Sequence, residues 1–307
     1  MKILITEFMD QQAVDHLATR FDVVYEPGLA DRQQDIPAQM AGVRALIVRN
    51  RTKVTGDLLD CGGEVECVGR LGVGLDNIDL EGCAARNVTV YPATGANNLS
   101  VAEYVLTNAM MLLRGAYMSG SAMRDGAWPR QACSGREIFG KTLGLVGFGA
   151  IAQQTAGMAR GLGMATIAFD PFLPKDHSAW DGTEYASLED VLRRSDVVSL
   201  HTPLTEDTRH LLDGAAMAKM KAGSVVINAA RGGVLDDHAF ANAVRSGHLG
   251  GGALDVFETE PLTQDAAKIF DGLENVILTP HIAGVTVESN ERVSAMIAEL
   301  VSTHLAG

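Results

Sequence analysis

Leu143-Gly144-Leu145-Val146-Gly147-Phe148-Gly149-Ala150-Ile151-Ala152 is the stretch that decides the fold. An apolar run of strand length breaks at Gly147-Phe148-Gly149, and residues 153–162 continue with helical character. A buried strand, a glycine turn and a helix in that order read as a dinucleotide-binding turn. Gly147 permits the tight turn, and Gly149 lets backbone N–H groups approach a pyrophosphate at the positive end of the following helix. Phe148, Ala150 and Ile151 complete that cofactor surface, and Ala152 stands where the fingerprint has its third glycine, still small enough for close helix packing. The apolar run 165–169 then ends in Asp170. Its carboxylate suits the adenosine ribose hydroxyls and would repel a 2′-phosphate, so the expected cofactor is NAD rather than NADP. A glycine turn that merely joins a strand to a helix is the alternative, and Asp170 weighs against it.

Outward from this turn the α/β rhythm continues, with strands expected at 197–200, 225–228, 251–257 and 276–278 and helices at 187–194 and 236–246. Residues 1–95 show the same alternation on a smaller scale, with strands at 3–6, 23–25, 45–48, 66–69 and 88–91 and helices near 11–20 and 36–41. Between them, Ser100 and Glu103 form a capping box that opens a helix over 101–123, apolar almost all round and suited to burial between domains or subunits. The last helix, 286–304, is expected to return to the first domain. The fold class is therefore α/β with two doubly wound parallel-sheet domains. A flavodoxin-like substrate domain takes residues 1–98 plus 283–307, and a Rossmann NAD-binding domain takes 99–282.

A chain of 307 residues that is 47% hydrophobic has room for two cores. Its formal net charge of −13 argues against nucleic acid and anionic membrane as partners. The apolar run after Met1 is too short for a signal-peptide core, and no uncharged stretch of about 18 residues occurs, so the expected location is cytoplasmic. Cys61, Cys67, Cys83 and Cys133 lack paired spacing and read as reduced thiols. His16, His177, His238 and His304 have no partner at metal-ligand spacing, so no metal is expected. Trp128 reads as an anchor for the loop before the second domain.

Ligands of open α/β sheets bind beyond the carboxyl ends of the strands. Residues 225–228 are followed by Ala229-Ala230-Arg231, 252–254 by Asp255 and then Glu260, and 276–278 by Thr279-Pro280-His281. Each alone has an ordinary explanation: an arginine as a surface ion-pair partner, a glutamate before proline as a solvated group, a histidine after proline as a cap. Their convergence on one sheet edge argues for chemistry. Hydride transfer to a ketone needs a proton donor at the carbonyl oxygen and a fixed cation for a substrate carboxylate, and His281 and Arg231 are those types. A free histidine titrates near ~6.5, and a bonded carboxylate such as Glu260 would favour the imidazolium and orient the ring.

With Gly72-Val73-Gly74-Leu75-Asp76-Asn77-Ile78-Asp79, residues 97–103, the glycine turn, His201-Thr202-Pro203-Leu204-Thr205, residues 228–233 and 253–261, and Thr279-Pro280-His281-Ile282-Ala283-Gly284, the sequence resembles the D-isomer-specific 2-hydroxyacid dehydrogenase family nearly end to end. The resemblance implies Arg231, Glu260 and His281 as the catalytic trio. Arg231 would hold the carboxylate of a 2-keto acid while His281 protonates the carbonyl as NADH delivers hydride to C2, and His281 would be the base in reverse. It further implies that Asp255 and Ala229 face the nicotinamide end and that the backbone of Val73 and Gly74 binds the substrate carboxylate. At the end of the strand at 197–200, His201 is expected on the cofactor side but outside catalysis, and Thr202 and Pro203 line it through backbone and shape; Ala230 and Gly284 are also expected on the cofactor side, and Asn97 on the substrate side. The family fold also implies an active site in the cleft between domains, and a homodimer whose contact includes the helix near 101–123.

Arg49 and Arg51 follow the strand at 45–48, and Arg70 follows 67–69. A lactate or glyoxylate site needs one cationic clamp, so extra guanidinium groups suit a substrate with a second anion. Arg49 and Arg70 are also similar to positions in the 3-phosphoglycerate dehydrogenase branch. The open substrates are 3-phosphoglycerate, 3-sulfolactate, and hydroxypyruvate or glyoxylate; structural roles for these arginines stay open beside them. A function of another class, an NADH-sensing scaffold for protein partners, is carried by the same fold.

Overall fold

Strands buried on both faces read as nearly continuous Val, Ile and Leu runs, because helices cover each side of a parallel sheet. In the computed structural model, which describes residues 1–307, such runs build two compact units: Met1–Asn97 with Val285–Gly307, and Asn98–Gly284. The sequence reading put these boundaries one or two residues away, at 98/99 and 282/283.

The first unit holds β1 (Lys2–Ile5), β2 (Asp22–Tyr25), β3 (Val43–Val48), β4 (Cys67–Arg70) and β5 (Thr89–Pro92). They form a parallel sheet in the order β2-β1-β3-β4-β5, the flavodoxin-like order. Alternation along β1 sends Ile3 and Ile5 to one face and Leu4 to the other. The first face is covered by helix Gln11–Ala18 and by the last helix, Val287–Ala306, whose Ile297, Val301 and Leu305 are buried there. Gly69 makes that docking possible, since a Cβ on it would lie 2.6 Å from Ile297. Sequence periodicity passed over two short helices here, Gly56–Gly62 and Leu80–Ala85, capped by the Thr55 and Asp79 side chains.

The second unit holds β6 (Thr142–Val146), β7 (Ala165–Phe169), β8 (Glu184–Tyr185), β9 (Val197–Leu200), β10 (Val225–Asn228), β11 (Gly251–Leu254) and β12 (Val276–Leu278). Their order is β12-β11-β10-β9-β6-β7-β8, all parallel. This is a Rossmann sheet with one added edge strand. The strand expected over 251–257 stops at Leu254, the last residue paired with β12. Helix Asn98–Arg114 packs its Val105, Ala109 and Leu112 face into the same core as Ala152, Ala156 and Ala159 of helix Ala150–Gly161. Ala152 is fully buried.

The long helix differs from its expectation at both ends. It starts at Asn98, which places Ser100 inside it, buried. It also ends at Arg114 instead of 123, because Gly115 adopts a left-handed φ of 67° and its N–H closes on the Met111 carbonyl. Short turns, Ala116–Ser119 and Gly120–Arg124, take up the remainder.

Candidate active site

In the second unit β6 lies against β9, with β7 and β8 on its other side, so the order in which strands are added reverses between β6 and β9. Crevices at such reversals take ligands. Gly147 leaves β6 with φ 89°, and a Cβ there would meet the His201 carbonyl oxygen at 2.7 Å, so only glycine lets the two strand exits close up. Gly149 has open space where a side chain would project, and no side chain caps helix Ala150–Gly161 behind it. Beside it, the Thr202 hydroxyl oxygen is buried without a partner. Free helix N–H groups and an unpaired hydroxyl around an open glycine fit the pyrophosphate and sugars of a dinucleotide.

Asp170 accepts the Phe148 N–H on Oδ2 at 2.8 Å, and the Phe172 and Leu173 N–H groups on Oδ1 at 2.9 and 3.1 Å. It therefore clamps the glycine turn, and a carboxylate with about four acceptor positions still has one for a ribose hydroxyl. Phe148 turns its ring inward onto Trp180, with centroids 4.7 Å apart, which leaves its backbone at the turn. Burial pushes His201 down to about 4, and its Nε2 sits 2.9 Å from Ser199 Oγ, so the ring is neutral near pH 7.

Arg231, Glu260 and His281 come from the exits of three adjacent strands. Asn228, fully buried at the end of β10, shapes the first exit by accepting the Ala230 N–H at 3.1 Å and donating to the Arg231 carbonyl at 3.0 Å. Arg231 Nη1 donates to the Ala230 carbonyl at 2.6 Å. A Cβ on Gly232 would collide with the Phe257 carbonyl, so this turn lies directly on the loop after β11. In that loop Phe257 donates its N–H to Glu260 Oε1 at 3.1 Å.

Glu260 Oε2 lies 2.8 Å from His281 Nδ1. An ionised carboxylate only accepts, so Nδ1 carries the hydrogen. Burial by itself would raise the Glu260 carboxyl, but the bond from His281, its charge, the Phe257 N–H and the Arg231 guanidinium together hold it below the ordinary value.

His281 itself has φ 55°, a conformation costing about 1–3 kcal/mol for a residue with a side chain. Asp255, 1% exposed, supplies what holds it. Its carbonyl accepts the His281 N–H at 2.8 Å, Oδ1 accepts Thr279 Oγ1 at 2.5 Å and the Ile282 N–H at 2.9 Å, and Oδ2 accepts the Ala283 N–H at 2.7 Å. Tyr104 OH lies 2.7 Å from Thr279 Oγ1; burial, opposed by that bond and reinforced by Asp255, pushes the phenol up to about 12.

In the first unit Arg49 and Arg70 leave neighbouring strands, since Val48 pairs with Arg70. Arg49 Nη2 donates to Asn290 Oδ1 at 2.9 Å, and burial draws its guanidinium below the ordinary value while Glu7 pulls it back. Arg70 donates to the Leu71 carbonyl at 3.2 Å. Val73 and Gly74 are half-buried in the loop beyond β4, and Asn97 Oδ1 is buried without a partner. Arg51 points elsewhere, into an exposed ion pair with Asp31.

A family model described as D-isomer specific 2-hydroxyacid dehydrogenase, NAD binding domain, matches residues 106–283. The chain belongs to this family. Over 293 residues it is 54% identical to the (S)-sulfolactate dehydrogenase of Chromohalobacter salexigens, covering 95% of this chain and 94% of that one. The hydroxypyruvate reductase of Thermotoga maritima is 39% identical over 263 residues, 86% of this chain and 85% of that one. The D-3-phosphoglycerate dehydrogenase of Mycobacterium leprae is 39% identical over 305 residues, which span 99% of this chain and 57% of the longer protein. Among solved structures, a protein from Thermus thermophilus superposes with a TM-score of 0.92 at 31% identity, over 100% of this chain and 97% of that one.

This NAD-dependent 2-hydroxyacid dehydrogenase thus has both doubly wound sheets of its family, and its relatives' names give the sensing scaffold no support. The sequence reading of the dehydrogenase missed Glu7, Asn228, Tyr104 and Thr279. Glu7, Asn228 and Thr279 carry a readable signal, a polar side chain at or just beyond the end of an apolar strand run. Tyr104 depends on a pairing across the chain that no local pattern reveals. No cluster of three or more histidine, cysteine or acidic side chains is placed to hold a metal ion, and no helix is long and apolar enough to cross a membrane.

Proposed function

We propose that the enzyme interconverts a small 2-keto acid and its 2-hydroxy acid, that the acid carries a second anionic group, and that Arg231, Glu260 and His281 perform the chemistry. NADH, when bound, supplies a hydride to C2 of the keto acid. Arg231 holds the C1 carboxylate with its planar fork. As the carbonyl π pair moves onto oxygen, His281 gives that oxygen a proton from Nε2, and Glu260 on Nδ1 keeps the ring oriented and balances its charge. Oxidation of the hydroxy acid uses the neutral ring as base. Gly147 to Ile151, Asp170, His201 to Pro203, Ala229, Ala230, Asp255 and Gly284 are assigned to the cofactor, and Arg49, Arg70, Val73, Gly74 and Asn97 to the substrate.

The observation that carries the substrate class is the pair of guanidinium groups at adjacent strand exits, Arg49 and Arg70. Of the two dianionic candidates, 3-sulfolactate is the one we favour, a reading supported by the 54% identity to a relative named for sulfolactate. A hydroxypyruvate or glyoxylate reductase is the second reading. It is favoured by the Asn290 bond and Glu7 charge already engaging Arg49, and by the Thermotoga relative. NADH oxidation against 3-sulfopyruvate, 3-phosphohydroxypyruvate, hydroxypyruvate and glyoxylate tests this. Preference for the dianions, lost with a rise in KM in Arg49→Ala or Arg70→Ala, is expected; equal or better use of glyoxylate would move the function to the second reading. A cytoplasmic homodimer is also proposed, supported by the exposed Tyr117, Trp128 and Phe139 after helix Asn98–Arg114. Light scattering at the mass of one chain would overturn the dimer.

A further inference from the structure

The loop that carries Glu260 is tied down by residues outside the trio. His210 sits with φ 50°, a backbone conformation that residues with a side chain seldom adopt. In that pose its N–H donates to the Gly233 carbonyl at 2.7 Å, two residues past Arg231. Its Nε2 reaches Glu258 Oε1 at 3.1 Å, two residues before Glu260. The contact to Gly233 is not isolated: Leu212 N–H bonds the Val234 carbonyl at 3.1 Å, and Asp236 N–H bonds the Leu212 carbonyl at 3.2 Å, so segment 210–212 runs as a short parallel ribbon beside 233–236.

Glu258 is held from a second side. The Asp237 N–H approaches its Oε1 at 3.4 Å, and its own N–H donates to Asp237 Oδ2 at 3.3 Å. The contact of Gly232 with the Phe257 carbonyl completes the junction. One residue thereby links the turn bearing the guanidinium, through its backbone N–H, to the loop bearing the carboxylate, through its ring.

We propose that His210, acting through Glu258, is a positioning residue for the 2-hydroxyacid dehydrogenase reaction, locking the 256–261 loop against the Arg231 turn so that Arg231 and Glu260 keep one geometry. The proposal rests on the assignment of Arg231, Glu260 and His281 as the trio. The strained backbone serves the link, because it lets one residue direct its N–H to one loop and its ring to the other. Neither partner is deeply buried, with side-chain exposures of 38% and 37%, so substitution there leaves the apolar core intact.

The test uses the full chain, with NADH and the fastest acid of the panel above. His210→Ala should lower kcat by about 10- to 100-fold, the scale of a misplacement of about 1 Å, with NADH affinity by fluorescence titration and the melting temperature nearly unchanged. His210→Gln, whose side-chain amide can donate to the same carboxylate, should recover most of the loss. Glu258→Ala should match His210→Ala, and the double variant should be no worse than either. Wild-type kcat in His210→Ala, no recovery in His210→Gln, or additive losses in the double variant would overturn the link. His281→Asn run alongside separates the two levels: full turnover in it sinks the trio assignment, whereas an inactive His281→Asn beside an unimpaired His210→Ala sinks the His210 proposal alone.

Discussion

Each sheet has one place where its winding reverses, and the two places are finished in opposite ways. Between β6 and β9 the crevice is lined by an open glycine, an uncapped helix and the unpaired Thr202 hydroxyl. Between β1 and β3 the protein fills the crevice itself. Glu7, 4% exposed, accepts the N–H groups of Arg49 at 2.8 Å and Thr52 at 2.9 Å on Oε1, and that of Arg51 at 3.1 Å on Oε2, while Thr6 and Thr52 pair their hydroxyls at 2.8 Å. The same backbone amides that would cradle a ligand anion bind an internal carboxylate. The amides of Arg49, Arg51 and Thr52 are therefore closed to a ligand anion, and at this crevice only a side chain such as Arg49 is left to hold one. Asp255 repeats the device in the second unit, where its oxygens accept from three donors of the loop that carries His281.

Four substitutions test this contrast. His281→Asn, which removes the proposed proton donor of the second unit and none of the crevice between β6 and β9, should lower kcat by about 10²–10⁴ with NADH binding retained; a loss confined to KM would deny the ring its role. Asp255→Asn offers one acceptor oxygen to three donors, and should cost about 1–3 kcal/mol in urea unfolding and release the His281 backbone from its left-handed pose, so that activity falls further than stability. Glu7→Gln makes the same change in the first unit and should cost a similar 1–3 kcal/mol, about one unmet buried hydrogen bond, but here the kinetic loss should fall on KM for the acid. If kcat fell instead, the two crevices would not be functionally distinct.

The smallest effect concerns a buried carboxylate that is not saturated. Asp237 Oδ1 has no partner, and burial, opposed by the Glu258 N–H and assisted by the Glu258 and Asp236 charges, raises its pKa from 3.8 to about 6. A raised acid binds its proton more tightly when folded, so the native chain is penalised above pH 6 and regains stability as pH falls from 6 toward 3.8. Asp237→Asn should therefore be the more stable form at pH 7.5, by at most about 3 kcal/mol, because a tenfold change in proton affinity is worth about 1.4 kcal/mol, with the advantage gone near pH 4. A gap constant with pH would mean the carboxyl is not buried as a charge.

What could be read without coordinates was local or periodic. The glycine turn, the apolar strand runs and the polar residue after each run are properties of adjacent positions, and parallel sheets with helices on both faces follow from them. Arg231, Glu260 and His281 could be listed together because each follows a strand, and all strands of a parallel sheet expose the same end. The distances needed the fold: β10, β11 and β12 had to pair in that register before Glu260 could reach His281. Glu7 illustrates the limit, since its three amide partners lie more than 40 positions away and no periodicity points to them. At Gly115 the helical pattern of side chains continues past the point where the backbone turns left-handed. Chemistry of residue types is written in the sequence, whereas the pairing of a buried charge with its donors is a property of tertiary structure, because burial alone makes an unmatched partner costly.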